Sequence, residues 1–228
     1  CPPAFLFEVN TLEFIILPFA ILAMFAASFI AIFQTDFKRM LAYSSIAQIG
    51  YILLGISLLT ETGLTAAIAH LFNHGITKAT LFMGVGILVL RSGGSFYNRI
   101  QGMGKTMPWT SAAIVIGGLS LIGVPGTAGF ISKWVLVEAT IEKGWWPISI
   151  LIVLSSLLAV IYVWRVIEVL YLKIPLAGTD YRAAPLSMLI PMWILARACI
   201  YFGFATDVTL TASRAAAQGL LAGTAGML

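Results

Sequence analysis

Six long stretches of this sequence hold few charged side chains, and that pattern leaves few folds open. They cover residues 12–33, 40–59, 64–90, 109–141, 146–172 and 185–204. A helix needs about 20 mostly apolar residues to cross about 30 Å of hydrocarbon. The expected fold is therefore all-α, a polytopic membrane helix bundle. Composition supports this: of 228 residues, 60% are hydrophobic and 10% charged, with a mean hydropathy of +1.00. Soluble domains carry nearer a quarter charged residues, so a soluble core of this size would lack a polar cover and lipid must supply one. The net charge of +4 is dispersed, with no basic run longer than Lys38-Arg39, and it does not point to nucleic acid. Cys1 and Cys199 stand near opposite ends and give no basis for a disulfide framework or a metal site.

The connections give the order. A polar knot at 34–39 separates the first two spans, and the tight link 60–63 makes the next pair antiparallel neighbours. A longer polar loop follows at 91–108. The run 109–141 is too long for one straight crossing, at about 50 Å. Gly123-Val124-Pro125-Gly126 explains the excess, because Pro125 lacks the N–H and Gly126 lacks the rigidity that a helix needs. Two half-helices, 109–122 and 128–141, are expected around that break. The tail after Asp207 is weakly apolar and is placed at the surface, giving a transmembrane domain over 1–205 and a tail over 206–228.

With six alternating spans, Lys38, Arg39, Arg91, Arg99, Lys105, Lys173 and Arg182 share one side, and Lys143 and Arg214 the other. The positive-inside rule makes the first side cytoplasmic. Counting the break as two crossings gives the same ratio, so length decides between the two topologies. Trp145 and Trp146 suit an interfacial belt. The chain opens Cys1-Pro2-Pro3 with no signal peptide pattern, and it reads as the downstream part of a longer protein.

Charged groups inside spans are expensive and mark function. Lys133 lies seven residues beyond Gly126, near mid-depth, beside a break that water can reach. A dehydrated lysine can release a proton that a solvated one holds. His70, His74 and Lys78 stand at i, i+4 and i+8 and share one helix face, with Asn73 at its border. Imidazoles titrate near neutrality, so such a row suits proton hand-over across bridging water. It lacks the further Cys or carboxylate ligands of a metal site. Lys38, with Asp36 and Arg39, reads as a charged turn at the surface. Arg165 and Glu168, at i, i+3, are expected to form a structural ion pair. Arg197 has no partner within four positions, so any partner lies on another helix. Glu13, Glu138 and Glu142 sit near span ends and receive no role.

These residues together resemble the antiporter-like subunits of Mrp-type cation/proton antiporters and respiratory complex I. The likeness is carried by the stretch from Gln34-Thr35-Asp36-Phe37-Lys38-Arg39 through Ala47-Gln48-Ile49-Gly50-Tyr51. It continues in His70-Leu71-Phe72-Asn73-His74 with Lys78-Ala79-Thr80-Leu81-Phe82, and in Gly123-Val124-Pro125-Gly126 with Gly129-Phe130-Ile131-Ser132-Lys133. The resemblance implies a second inverted repeat of a subunit of about fourteen spans. It assigns proton transfer to Lys133, His70, His74, Lys78 and Lys38, with Pro125 and Gly126 at the helix break. Within the family, the stretch from Ala184 to Pro191 is most similar to the D-type component of Mrp antiporters, whereas Arg197 departs from the apolar or small residue expected there.

The function so implied is proton translocation coupled to Na+ or K+ exchange, in a hetero-oligomer in the bacterial cytoplasmic (inner) membrane. The partners would be other membrane subunits, the lipid bilayer and the ions. A proton-pumping membrane subunit of an NADH- or hydrogen-oxidising complex is the alternative, and a non-transporting structural subunit is a third reading. No cofactor or metal is expected in this chain, and catalysis by it alone is not.

Overall fold

A computed structural model describes residues 10–175 and 183–225; Cys1 and Arg182 lie outside them. The described chain is an all-α bundle. In order it comprises α1 (Asn10–Ile32), α2 (Phe37–Ser57), α3 (Glu61–Ser92), two short rim helices α4 (Tyr97–Ile100) and α5 (Met103–Thr106), α6 (Pro108–Ile122), α7 (Ala128–Glu142), α8 (Trp146–Ile167, continued by a π-helical turn Glu168–Leu172), α9 (Leu186–Phe204) and α10 (Thr206–Ala225). Asp36 starts α2 by accepting from the Arg39 N–H, and Thr60 starts α3 by accepting from the Gly63 N–H.

α3 is the mast of the bundle. Its 32 residues extend about 48 Å at 1.5 Å per residue. α6 and α7 run antiparallel along it end to end: a Cβ on Gly84 would meet Ile114, Thr77 bonds Ser120, Asn73 bonds the Ala128 carbonyl and His70 bonds Ser132. The interrupted helix is thus a single crossing, as its length requires, and its halves match expectation to within a residue.

The break itself follows from its sequence. Gly123 ends α6 at φ +90, and the Thr127 N–H returns to the Val124 carbonyl at 3.1 Å. Pro125 and Gly126 are the central pair of that turn, and Gly126 takes φ +85, which suits a type II geometry. The two halves then overlap so closely that a methyl group at Gly129 would collide with the Ser120 carbonyl.

The tail departs from its expected place. α10 packs along α3, with Thr209, Ser213 and Ala217 buried and Gln218 bonded to Glu61 at 2.9 Å. α9 pairs with the upper part of α3, with Thr77 and Thr80 reaching Cys199 and Phe72 stacking edge-on to Phe202. α9 and α10 therefore form a second interrupted helix, bent at Ala205, antiparallel to α3 over its whole length. The two interruptions touch, because Gly203 lies against the Gly126 carbonyl. Weak hydropathy hid this helix: α10 buries one narrow face on α3, while most of its other side chains are exposed.

Two rims close the bundle. At one, the α1–α2 turn pairs with the loop before α4, through Phe37 N to Ser95 O and Tyr97 N to Thr35 O, and Gly102 N meets Val169 O. At the other, Lys143 binds Glu13 at 2.5 Å and the Leu58 carbonyl at 2.8 Å, tying α1, α2 and α7 together. Glu13 thus has a structural role that its position in the sequence did not suggest. The Arg165–Glu168 pair does not form. Arg165 instead donates to the Ile32 carbonyl at 2.7 Å and lies over the Tyr97 ring, and Glu168 opens the π-helical turn. Burial pushes the Tyr97 phenol up to about 12, so it stays neutral beside Arg165. The loop 91–108, read from the sequence as polar, also buries Tyr97, Ile100 and Met103 through its two short helices.

The outer faces stay apolar, with Phe14, Phe19, Leu22, Ile150, Leu157 and Trp164 exposed. Among the described residues, five helices are long and apolar enough to cross a membrane, and Pro108–Ile122 is a shorter apolar helix. This is a membrane bundle, and its polar side chains turn inward.

Candidate functional site

Those inward polar groups form one row down the mast. Lys78 is 6% exposed, and its ammonium donates to the Leu41 carbonyl at 2.8 Å and to Ser44 Oγ at 2.5 Å. One turn along α3, the His74 ring stacks on that of His70, with centroids 6.2 Å apart and planes 8° from parallel. His74 Nδ1 is buried with no bonded partner.

His70 is held on both sides, Nδ1 by Ser132 Oγ at 2.8 Å and Nε2 by Gln48 Oε1 at 3.0 Å. An amide oxygen only accepts, so with Oε1 facing the ring Nε2 carries the proton and Nδ1 receives the Ser132 hydroxyl. Tyr51 packs against the His70 ring, and the Lys133 ammonium sits over Tyr51, 4.7 Å from its centroid.

Lys133 ends the row at the helix break. From the first turns of α7 it reaches back to the carbonyls of Leu121 (3.1 Å) and Ile122 (2.9 Å). Those are among the orphan acceptors that every helix leaves at its carboxyl end, where the dipole favours a cation. The Pro-Gly interruption thus creates the lysine's binding place, because an unbroken helix would have used these carbonyls itself. Asn73 fastens the same junction from α3, donating to the Ala128 carbonyl at 2.8 Å, while its Oδ1 is buried and unpartnered. Gln48, His70, Asn73, His74, Thr77 and Ser120 surround a cavity of about 10 Å³, which is about the space of one water molecule.

Lys78, His74, His70 and Lys133, two separate constellations in the sequence, therefore become one. No carboxylate among the described residues bonds to any of them. Lys38 does not join: in the first turn of α2 it is exposed at the rim, outside the row. Pro125 is exposed and acts only through the backbone turn. Sequence reasoning missed Ser44, Gln48, Tyr51 and Ser132, the groups that hold the row's cations and rings. The first three stand at i, i+4 and i+7 of α2, a one-face spacing that was there to be read. No group of three or more His, Cys, Asp or Glu side chains able to hold a metal occurs among the described residues.

Comparisons with known proteins bear on the family and the fold. Residues 2–159 match the family described as NADH:quinone oxidoreductase/Mrp antiporter, TM. NADH-quinone oxidoreductase subunit N of Desulforudis audaxviator is 39% identical over 189 residues, 77% of this chain and 38% of that protein. F(420)H(2) dehydrogenase subunit L of Methanosarcina mazei is 36% identical over 198 residues, 81% of this chain and 29% of that protein. The chain thus spans well under half the length of these two relatives. The structure of the Mrp complex from Dietzia sp. DQ12-45-1b contains a chain of the same fold, with a TM-score of 0.86 at 23% identity, covering 92% of this chain and 48% of that one.

Proposed function

Because the chain belongs to the NADH:quinone oxidoreductase/Mrp antiporter transmembrane family, we propose that it carries protons through the membrane arm of a redox-linked complex. The observation behind this is the buried row Lys78–His74–His70–Lys133. The balance between the two sequence-based readings shifts accordingly. Relatives at 39% and 36% identity are subunits of an NADH-quinone oxidoreductase and an F(420)H(2) dehydrogenase, whereas the Mrp likeness at 23% speaks for the fold. Cation/proton antiport, with Na+ or K+ exchanged, is the second reading. In both, the chain is a transport subunit that works with other membrane subunits, and any redox centres reside elsewhere. Its membrane would be the bacterial cytoplasmic one.

The chemistry follows from the row's geometry. Lys78 takes up a proton in a site lined by neutral acceptors. Water in the small cavity links His74 Nδ1 towards His70; once Nδ1 takes the proton, the Ser132 hydroxyl turns from donating to Nδ1 to accepting from it, which connects His70 to α7. Lys133 holds the proton against the two α6 carbonyls until the break admits water. A charge on Lys78 and a charge on Lys133 disfavour one another across the protein interior, so loading one end promotes release at the other.

The test uses the assembled complex in inverted membrane vesicles. His70→Ala with His74→Ala is expected to abolish acidification of the lumen while electron transfer to quinone continues. Normal acidification in that double variant would reduce the row to packing.

A further inference from the structure

We propose that the groove between the amino end of α6 and α9 binds the phosphate headgroup of an anionic membrane lipid. Arg197 is its anchor. It lies about 16 Å along α9 from Leu186, is exposed on the bundle, and has no hydrogen bond or ion pair among the described residues. A charge at that depth is expensive unless an anion meets it. Helical side chains lean towards their own amino end, so the guanidinium is directed to the rim where α9 begins.

The groove there encloses about 460 Å³ between Trp109, Thr110, Leu186, Leu189, Trp193 and Arg197. Its polar groups ask for an acceptor. Trp193 Nε1 and Thr110 Oγ1 are buried without a partner, and Thr110 is only 1% exposed. An indole N–H and a guanidinium donate and never accept. The amino end of α6 adds the positive pole of a 15-residue helix. Trp109 and Trp193 meet edge-on, centroids 5.8 Å apart, and fix the wall.

Size and setting choose the occupant. A neighbouring helix, about 10–12 Å across, could only lie over an opening of this volume. A phosphodiester with the first part of its acyl chains fits within it. Ala183 and Ala184 line the groove just before α9 begins, and the apolar Leu186 and Leu189 line it further along. A soluble phosphate would gain nothing from that lining.

Native mass spectrometry of the complex, released from nanodiscs of phosphatidylglycerol or phosphatidylcholine, tests the proposal. One retained phosphatidylglycerol is expected per copy, at least tenfold less in Arg197→Leu, with most retention restored in Arg197→Lys and Arg214→Ala unaffected. Thermal stabilisation by phosphatidylglycerol over phosphatidylcholine should disappear in Arg197→Leu alone. Equal retention of both lipids, or unchanged retention in a folded Arg197→Leu complex, overturns it. So does a photo-crosslinker at Leu189 that captures a protein segment instead of lipid.

Discussion

Ser132→Ala is the substitution that separates a proton path from a packed polar core. Ser132 is fully buried, and its hydroxyl is the one side-chain bond from α7 to the His70 ring. Alanine leaves Nδ1 without a donor in a buried site, at a cost of about 1–3 kcal/mol. His70 keeps Gln48 on its other nitrogen, so the ring stays in place and the complex still assembles. The proton, however, loses its bonded step towards α7. A rise of about 1.4–2.8 kcal/mol in the barrier slows transfer roughly 10- to 100-fold. Lumen acidification in inverted vesicles, normalised to complex abundance and to quinone reduction, reads the loss directly. Gln48→Leu is the companion: it removes a bond of similar strength on the side away from α7, and is expected to slow transfer less than Ser132→Ala. Wild-type acidification by a stable Ser132→Ala complex would refute the route through Ser132.

Gly129→Ala forces a methyl group against the Ser120 carbonyl and must push the half-helices apart; overpacking of this kind costs about 1–3 kcal/mol or more, seen as a lower melting temperature together with lost transport. Lys38→Ala is expected to leave proton transport within about twofold of wild type, whereas Lys78→Ala abolishes it; equal losses would place Lys38 on the path. Lys143→Ala strands Glu13, which is 9% exposed, and destabilises the rim by about 1–3 kcal/mol. Adding Glu13→Gln should recover most of that stability, as thermal melts of the two variants will show.

The crossings were legible because lipid imposes one length on every span, and the Gly-Val-Pro-Gly break because proline and glycine disrupt any helix. His70, His74 and Lys78 were legible because a period of 3.6 residues stacks them whatever the tertiary structure. Their union with Lys133 was not, since it depends on which faces of α3 and α7 meet, and that is decided by contacts such as Asn73 on the Ala128 carbonyl. α10 escaped notice for a related reason: it is placed by one face packed on α3, and that packing needs no lipid-like hydropathy. Arg165 misled because spacing on one helix suggested Glu168, while the uncapped Ile32 carbonyl at the end of α1 offered a better-placed acceptor.

For the row to carry protons across the membrane, Lys133 must release the proton it takes up. Proton translocation should be measured in Lys133→Arg and Lys133→Ala complexes at matched membrane abundance. Arginine keeps the positive charge at the Leu121 and Ile122 carbonyls but hardly ever gives up its proton, and alanine removes the group. A proton-carrying lysine predicts that both variants are inactive though assembled. An Lys133→Arg complex that pumps at close to the wild-type rate would contradict the claim and leave Lys133 a fixed electrostatic cap on the broken helix.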